Sequence, residues 1–152
     1  MSSKPRPPNP PTAEERLFLT LLKTADALSQ EAEHLTKSIG LTGTQYNVLR
    51  ILRGAGLDGL PCRGIGERMI SSDSDMTRLL DRMEKGGLIT RARQKDDRRV
   101  VKTRITEAGL MLLQKLDQPM RELHKKQFQH MAAAQVKTLG DLLDVLKHRE
   151  PE

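Results

Sequence analysis

Apolar residues recur at helical spacing along most of this chain and fall at alternate positions in one place only, near residue 90. Leu17, Leu21, Ala25 and Leu28, widened by Phe18 and Leu22, form the first stripe, the pattern of an amphipathic helix. Thr12-Ala13-Glu14-Glu15 is a capping box that opens it. The helix is predicted to run to about Ser38, with Gly40 suited to the left-handed position beyond. A second capping box, Thr42-Gly43-Thr44-Gln45, opens a short helix that turns Val48, Leu49 and Leu52 inward. "GAGLDGLP" then breaks the pattern as a loop, and "CRGIGERMI", residues 62–70, reads as a third, short helix. "SSDSDMTRLLDRMEKGG" carries a fourth. Ser72 and Asp75 stand as its capping pair, and Met76, Leu79, Leu80 and Met83 form its apolar face. Ser74, Arg78, Asp81 and Lys85 project opposite, flanked by Thr77 and Arg82, and Gly86-Gly87 ends it.

The period then changes from 3.6 to 2. "LITRAR" and "VVKTRI" are β-branched segments separated by a polar turn from Gln94 to Arg99, which predicts a two-stranded hairpin. Thr106 caps a long helix through "EAGLMLLQKLDQPMRELHKKQFQHM", in which Pro119 predicts a kink or local break. "QVKTLGDLLDVLKHR" closes the chain with Val136, Leu139, Leu142, Leu143 and Leu146 on one face. The fold class is therefore mainly α with a small antiparallel hairpin. Three helices followed by a two-stranded ribbon make a winged helix-turn-helix. The leading and trailing helices are surplus to that unit, and their apolar rows, Leu17/Leu21/Leu28 and Leu139/Leu142/Leu143/Leu146, call for a second copy of the chain.

Composition sharpens this picture. With 2% aromatic and 36% hydrophobic residues, the core must be built from Leu, Ile, Val, Met and Ala, which suits packed helices. No apolar run approaches the roughly 20 residues that cross a bilayer. "MSSKPRPPNPP" has no hydrophobic signal core and reads as a disordered or polyproline arm. A single Cys62 excludes an internal disulfide and fits a reducing cytoplasm.

Net charge is +6, and the whole excess is local. Residues 78–104 hold ten basic residues against Asp81, Glu84, Asp96 and Asp97, while the remainder of the chain is balanced. A localised basic patch is the footprint of a polyanion binder.

"LTGTQYNVLRIL", "TRLLDRMEKGGLITR" and "DDRRVVKTRITEAG" together resemble the MarR family of bacterial transcription regulators over residues 41–109. The resemblance implies a single domain over 12–152 behind the 1–11 arm. Residues 12–40 and 106–149 would be dimerisation helices and 41–105 the DNA-binding lobe. It implies a homodimeric repressor on a palindromic operator, with a recognition helix in the major groove and a wing reaching the backbone and minor groove. Arg99, in Asp97-Arg98-Arg99, matches the family's wing-tip arginine. A planar guanidinium suits the negative potential of a narrow minor groove. Asp97 would orient an arginine or pin the turn, and Lys95 and Arg98 would meet the backbone. Arg91, Arg93, Lys102 and Arg104 are weaker candidates, because some strand residues must face the domain. Ser72, Ser74, Thr77 and Arg78 are the major-groove candidates, with Arg82 beside them. Asp73 and Asp75 depart from what an anionic partner invites. The resemblance further implies a small, often aromatic or phenolic, effector between dimer helices and DNA-binding lobes, for which no motif marks residues.

Three rival classes remain. An enzyme finds no support: His34, His124, His130 and His148 are scattered, and no metal, cofactor or nucleophile motif is present. A thiol redox sensor would use Cys62 at the start of the third helix, yet the family's peroxide sensors carry their cysteine in the first long helix, where this chain has none. A winged helix used for protein–protein contact has no use for a basic excess confined to the wing and recognition helix.

Overall fold

The computed structural model describes residues 10–148. The Pro-rich arm up to Asn9, and Arg149 of the predicted last helix, lie outside the described residues. Helix α1 spans Ala13–Lys37, α2 Gly43–Ala55, α3 Cys62–Gly66, α4 Met76–Lys85, α5 Glu107–Phe128 and α6 Ala133–Lys147. Strands β1, β2 and β3 cover Leu60–Pro61, Ile89–Arg93 and Val101–Ile105.

Both predicted capping boxes form. The Thr12 hydroxyl accepts from the Glu15 amide at 3.2 Å and the Thr42 hydroxyl from the Gln45 amide at 3.1 Å, with the Glu and Gln side chains answering. Gly40 takes φ +82° beyond the end of α1.

The core sits among α2, α3, α4, β2 and α5. Val48, Leu49, Leu52, Ile65, Leu80, Met83, Ile89, Leu113 and Leu116 are sealed from solvent, each side chain contributing about 1.5–3 kcal/mol by burial. Two glycines permit the wing to dock closely. At Gly59, where φ is +63°, a Cβ would collide with the Thr103 carbonyl. A Cβ on Gly109 would stand 2.6 Å from the Leu88 carbonyl oxygen and 2.8 Å from Ile105 Cγ1. Thr106 ties the same corner: its hydroxyl donates to the Gly87 carbonyl at 2.7 Å and accepts from the Gly109 amide at 3.1 Å.

Four sequence expectations need correction. The wing has three strands, because β1 pairs with β3 through Leu60↔Thr103 and Pro61↔Lys102. Two residues carry no readable period, and Pro61 at an edge needs no donor. Helix α3 stops at Gly66 rather than Ile70, because the Ile70 amide is taken by Asn47 Oδ1 at 2.9 Å, a side chain of α2. Helix α4 begins at Met76, capped by Asp75, which accepts from the Arg78 amide at 3.4 Å. The Asp75 amide in turn donates to Asp73 Oδ1 at 2.8 Å, so Ser72 caps nothing and lies, with Ser74, in the segment before the helix. Of the kink or local break expected at Pro119, the break does not occur: helix α5 is continuous through it. Leu113, Leu116 and Met120, buried on either side of it, hold the turns in place.

Candidate nucleic-acid interface

Helix α4 presents its apolar face to the core through Leu79, Leu80 and Met83, which leaves its other side outward. Thr77, Arg78 and Arg82 are exposed there, as are Ser72 and Ser74 just before it. Arg78 is not idle: its Nε lies 3.4 Å from Asp75 Oδ2, so the capping carboxylate also holds the guanidinium near the helix start. This explains the acid that seemed misplaced on a DNA-facing helix.

In the hairpin, Ile89↔Ile105, Arg91↔Thr103 and Arg93↔Val101 share one face, and Thr90↔Arg104 and Ala92↔Lys102 the other. The tip carries Lys95, Arg98 and Arg99, all exposed. Asp97 pins the turn, accepting the Arg99 amide at 3.0 Å on its side chain and the Val100 amide at 3.0 Å on its carbonyl. Arg93 braces the same loop, donating to the Arg98 carbonyl at 3.1 Å. Arg104 donates to the Leu57 carbonyl at 2.6 Å.

Arg91 is a correction to the DNA-contact candidates. Its guanidinium turns inward onto Asp81 and, at 3.1 Å, Glu84 Oε1, while its backbone amide donates to Glu84 Oε2 at 2.8 Å. The Arg91 hydrogen bonds hold the Glu84 carboxyl below its usual range, and the two acids raise the arginine further. Asp81 therefore faces the wing, not the open side of α4. Counting alternate residues from the buried Ile89 puts Arg91 on the domain side, and that signal was available in the sequence.

A cavity of about 310 Å³ lies between α1, α2, α5 and the segment 69–71. Ser29 and Glu33 come from α1, Tyr46, Asn47 and Arg50 from α2, and Met120 and His124 from α5. Burial raises the Tyr46 phenol above its ordinary pKa, opposed by Arg50, whose guanidinium stands 5.8 Å over the ring. Cys62 is exposed. On α1 and α6 apolar side chains face outward: Phe18 is 60% and Leu142 62% exposed, and α6 buries none of its residues. Leu17, Leu139, Leu143 and Leu146 are exposed with them, and Leu21 and Leu28 half-buried. No helix among the described residues is long and apolar enough to cross a membrane.

Residues 41–101 match the MarR family. Over 131 residues, 86% of this chain and 77% of the relative, the sequence is 32% identical to the HTH-type transcriptional repressor IacR of Pseudomonas putida. The crystal structure of a MarR transcription factor from Planctomyces limnophilus is 34% identical, with a TM-score of 0.67 over 90% of this chain and 99% of that one. Bordetella bronchiseptica BpsR, solved in a study of how 6-hydroxynicotinic acid regulates its DNA binding, shares the fold at 17% identity, with a TM-score of 0.81 over 93% of this chain and 100% of that one. A capped helix backed by a braced basic wing, with relatives of this kind, places the chain in the MarR family of winged helix-turn-helix, DNA-binding transcriptional regulators.

Proposed function

We propose that the chain is a homodimeric repressor, not an enzyme, that works in the bacterial cytoplasm on a palindromic operator and releases it when a small molecule binds. Residues 41–105 are the DNA-binding lobe. Thr77, Arg78 and Arg82, with Ser72 and Ser74 ahead of them, enter the major groove. Arg99 enters the minor groove, and Lys95 and Arg98 meet phosphates on either side. The observation that carries this reading is where the charge stands. The entire net excess lies within residues 78–104, and its outward members lie on α4 and the wing tip, two elements joined to one core.

Residues 12–40 and 106–149 form the dimer. Leu17, Leu21 and Leu28 on α1 and Leu139, Leu142, Leu143 and Leu146 on α6 supply its apolar contacts. Helix α6 has no buried residue in the single chain, and an apolar row of that length calls for a partner.

The cavity supports ligand response. Its volume, about 310 Å³, suits a small ring-sized molecule, and BpsR is regulated by one. The lining segment Met69–Ser71 leads straight into Ser72–Asp75 and α4. A ligand that favours one placement of that segment shifts the recognition helix by its differential affinity, and by no more than that. Selecting and sequencing the DNA bound by purified protein tests the reading. Two inverted half-sites about 10 base pairs apart centre to centre are expected for a two-fold dimer. Recovery of unrelated sequences, or of a single half-site, would refute it.

A further inference from the structure

Asp81 and Glu84 are acids on the helix proposed to enter DNA, where electrostatics alone disfavours them. Both are occupied. Arg91, its side chain only 24% exposed, donates its guanidinium to each, and its backbone amide goes to the second oxygen of Glu84. Its cross-strand partner Thr103 is buried. The base of β2 is thus fastened to α4 through one side chain and its own backbone. Among residues 78–104 this leaves nine basic residues against Asp96 and Asp97.

We propose that Arg91 is a positioning residue: with Asp81 and Glu84 it sets where the wing stands relative to the recognition helix, and it does not touch DNA. The role rests on the reading that helix and wing engage DNA together. The geometry makes the fastening matter. From Arg91 to the loop tip is about five residues, roughly 17 Å at strand rise. A tilt of about 10° at the base moves the tip about 3 Å, half the width of a minor groove of about 6 Å. The Arg93 brace keeps the loop in shape but does not fix its direction, because both its partners lie on the wing itself.

The sign of one substitution separates this role from simple electrostatics. Glu84→Gln removes a negative charge close to DNA and, by charge alone, must tighten binding. If the clamp positions the wing, the same change loosens it. The experiment is a titration of the selected operator duplex with wild type, Arg91→Gln, Glu84→Gln and Arg99→Ala, together with the two double variants that add Arg99→Ala. Thermal unfolding is measured for each protein. Arg91→Gln is expected to weaken operator binding about tenfold, on the scale of one lost contact set, and Glu84→Gln by less but in the same direction. Both effects should shrink sharply once Arg99 is already alanine, because a lost wing contact cannot be lost twice. Tighter or unchanged binding by Glu84→Gln, or additive losses in the cycle, overturns the proposal even where Arg99→Ala weakens binding. An inert Arg99→Ala overturns the wing–DNA reading itself, and this role with it. If Arg91→Gln unfolds, the near-isosteric Glu84→Gln and its cycle decide alone.

Discussion

Arg99→Ala isolates the wing tip with little disturbance of the fold. The side chain is exposed and has no hydrogen-bond or ion-pair partner among the described residues, while the turn is held by the Arg99 backbone and Asp97. Its removal should change folding stability by no more than about 0.5 kcal/mol. The effect on DNA is larger. Each phosphate-like contact contributes about 0.9 to the slope of log affinity against log salt, so two wings per dimer contribute about 1.8. Between about 50 and 200 mM salt, wild-type affinity should therefore fall roughly tenfold further than that of the variant. The loss should extend to most sequences, because phosphate contacts carry no base identity and groove potential varies with groove width rather than with one base position. Arg78→Ala is the contrast: a bidentate base contact costs about 1–3 kcal/mol per half-site, and mainly at one base position. Anisotropy titrations of operator and single-base variants across a salt series measure both. If Arg99→Ala left affinity and slope unchanged, the wing would not reach DNA, and the basic loop would be a solvated turn.

Three further outcomes are expected. Light scattering should give about twice the 17.1 kDa chain mass, and Leu142→Asp should weaken dimer and DNA binding together, since each protomer loses about 2 kcal/mol of apolar burial and must bury a charge; a wild-type monomer at micromolar concentration would refute the dimer. Cys62→Ser should leave operator binding and any peroxide response unchanged, although the thiol is exposed; peroxide release of wild type but not of the variant would reverse that. Tyr46 is the only tyrosine and there is no tryptophan, so ultraviolet titration reports the cavity directly. Burial raises its pKa and Arg50 lowers it, so the midpoint should lie above the usual value near 10 and rise further in Arg50→Ala. Because the folded-state pKa is the raised one, the associated stability is fully present below the unfolded value near 10 and is lost as pH rises from there through the folded-state midpoint; a midpoint at or below the ordinary value refutes the burial.

Helices α1, α2 and α5 were legible because their signals are local. A threonine cap and an apolar stripe lie within one segment, and propensity and burial agree there. The hairpin was legible for the same reason, its strands falling within a residue of the period-2 segments. What escaped the sequence depends on a distant partner. Ending α3 at Gly66 required Asn47 of α2 to take the Ile70 amide, and β1 is a strand only because β3 accepts it. The start of α4 was displaced because Asp75, read as the partner of a Ser72 cap, is itself the cap, with its amide bonded to Asp73.

The interface and the cavity differ in the same way. Exposed basic residues announce themselves in composition, so Arg78, Arg82, Lys95, Arg98 and Arg99 could be named in advance, and all five are outward. Arg91 was already a weaker candidate, since some strand residues must face the domain, but charge counts do not distinguish a residue that meets solvent from one that meets Asp81 and Glu84. Only the alternation from Ile89 does so. The cavity has no comparable signature. Its lining comes from four segments, around residues 29–36, 42–50, 69–71 and 120–124, and those on α1, α2 and α5 also follow the pattern of the helix they belong to. Asn47 illustrates the difficulty: within α2 it interrupts an apolar face, and its purpose appears only when Ile70, on the far side of α3, is brought to 2.9 Å. A buried amide that serves both the cavity wall and the approach to the recognition helix is a tertiary fact, and it joins the two places where ligand and DNA are proposed to act.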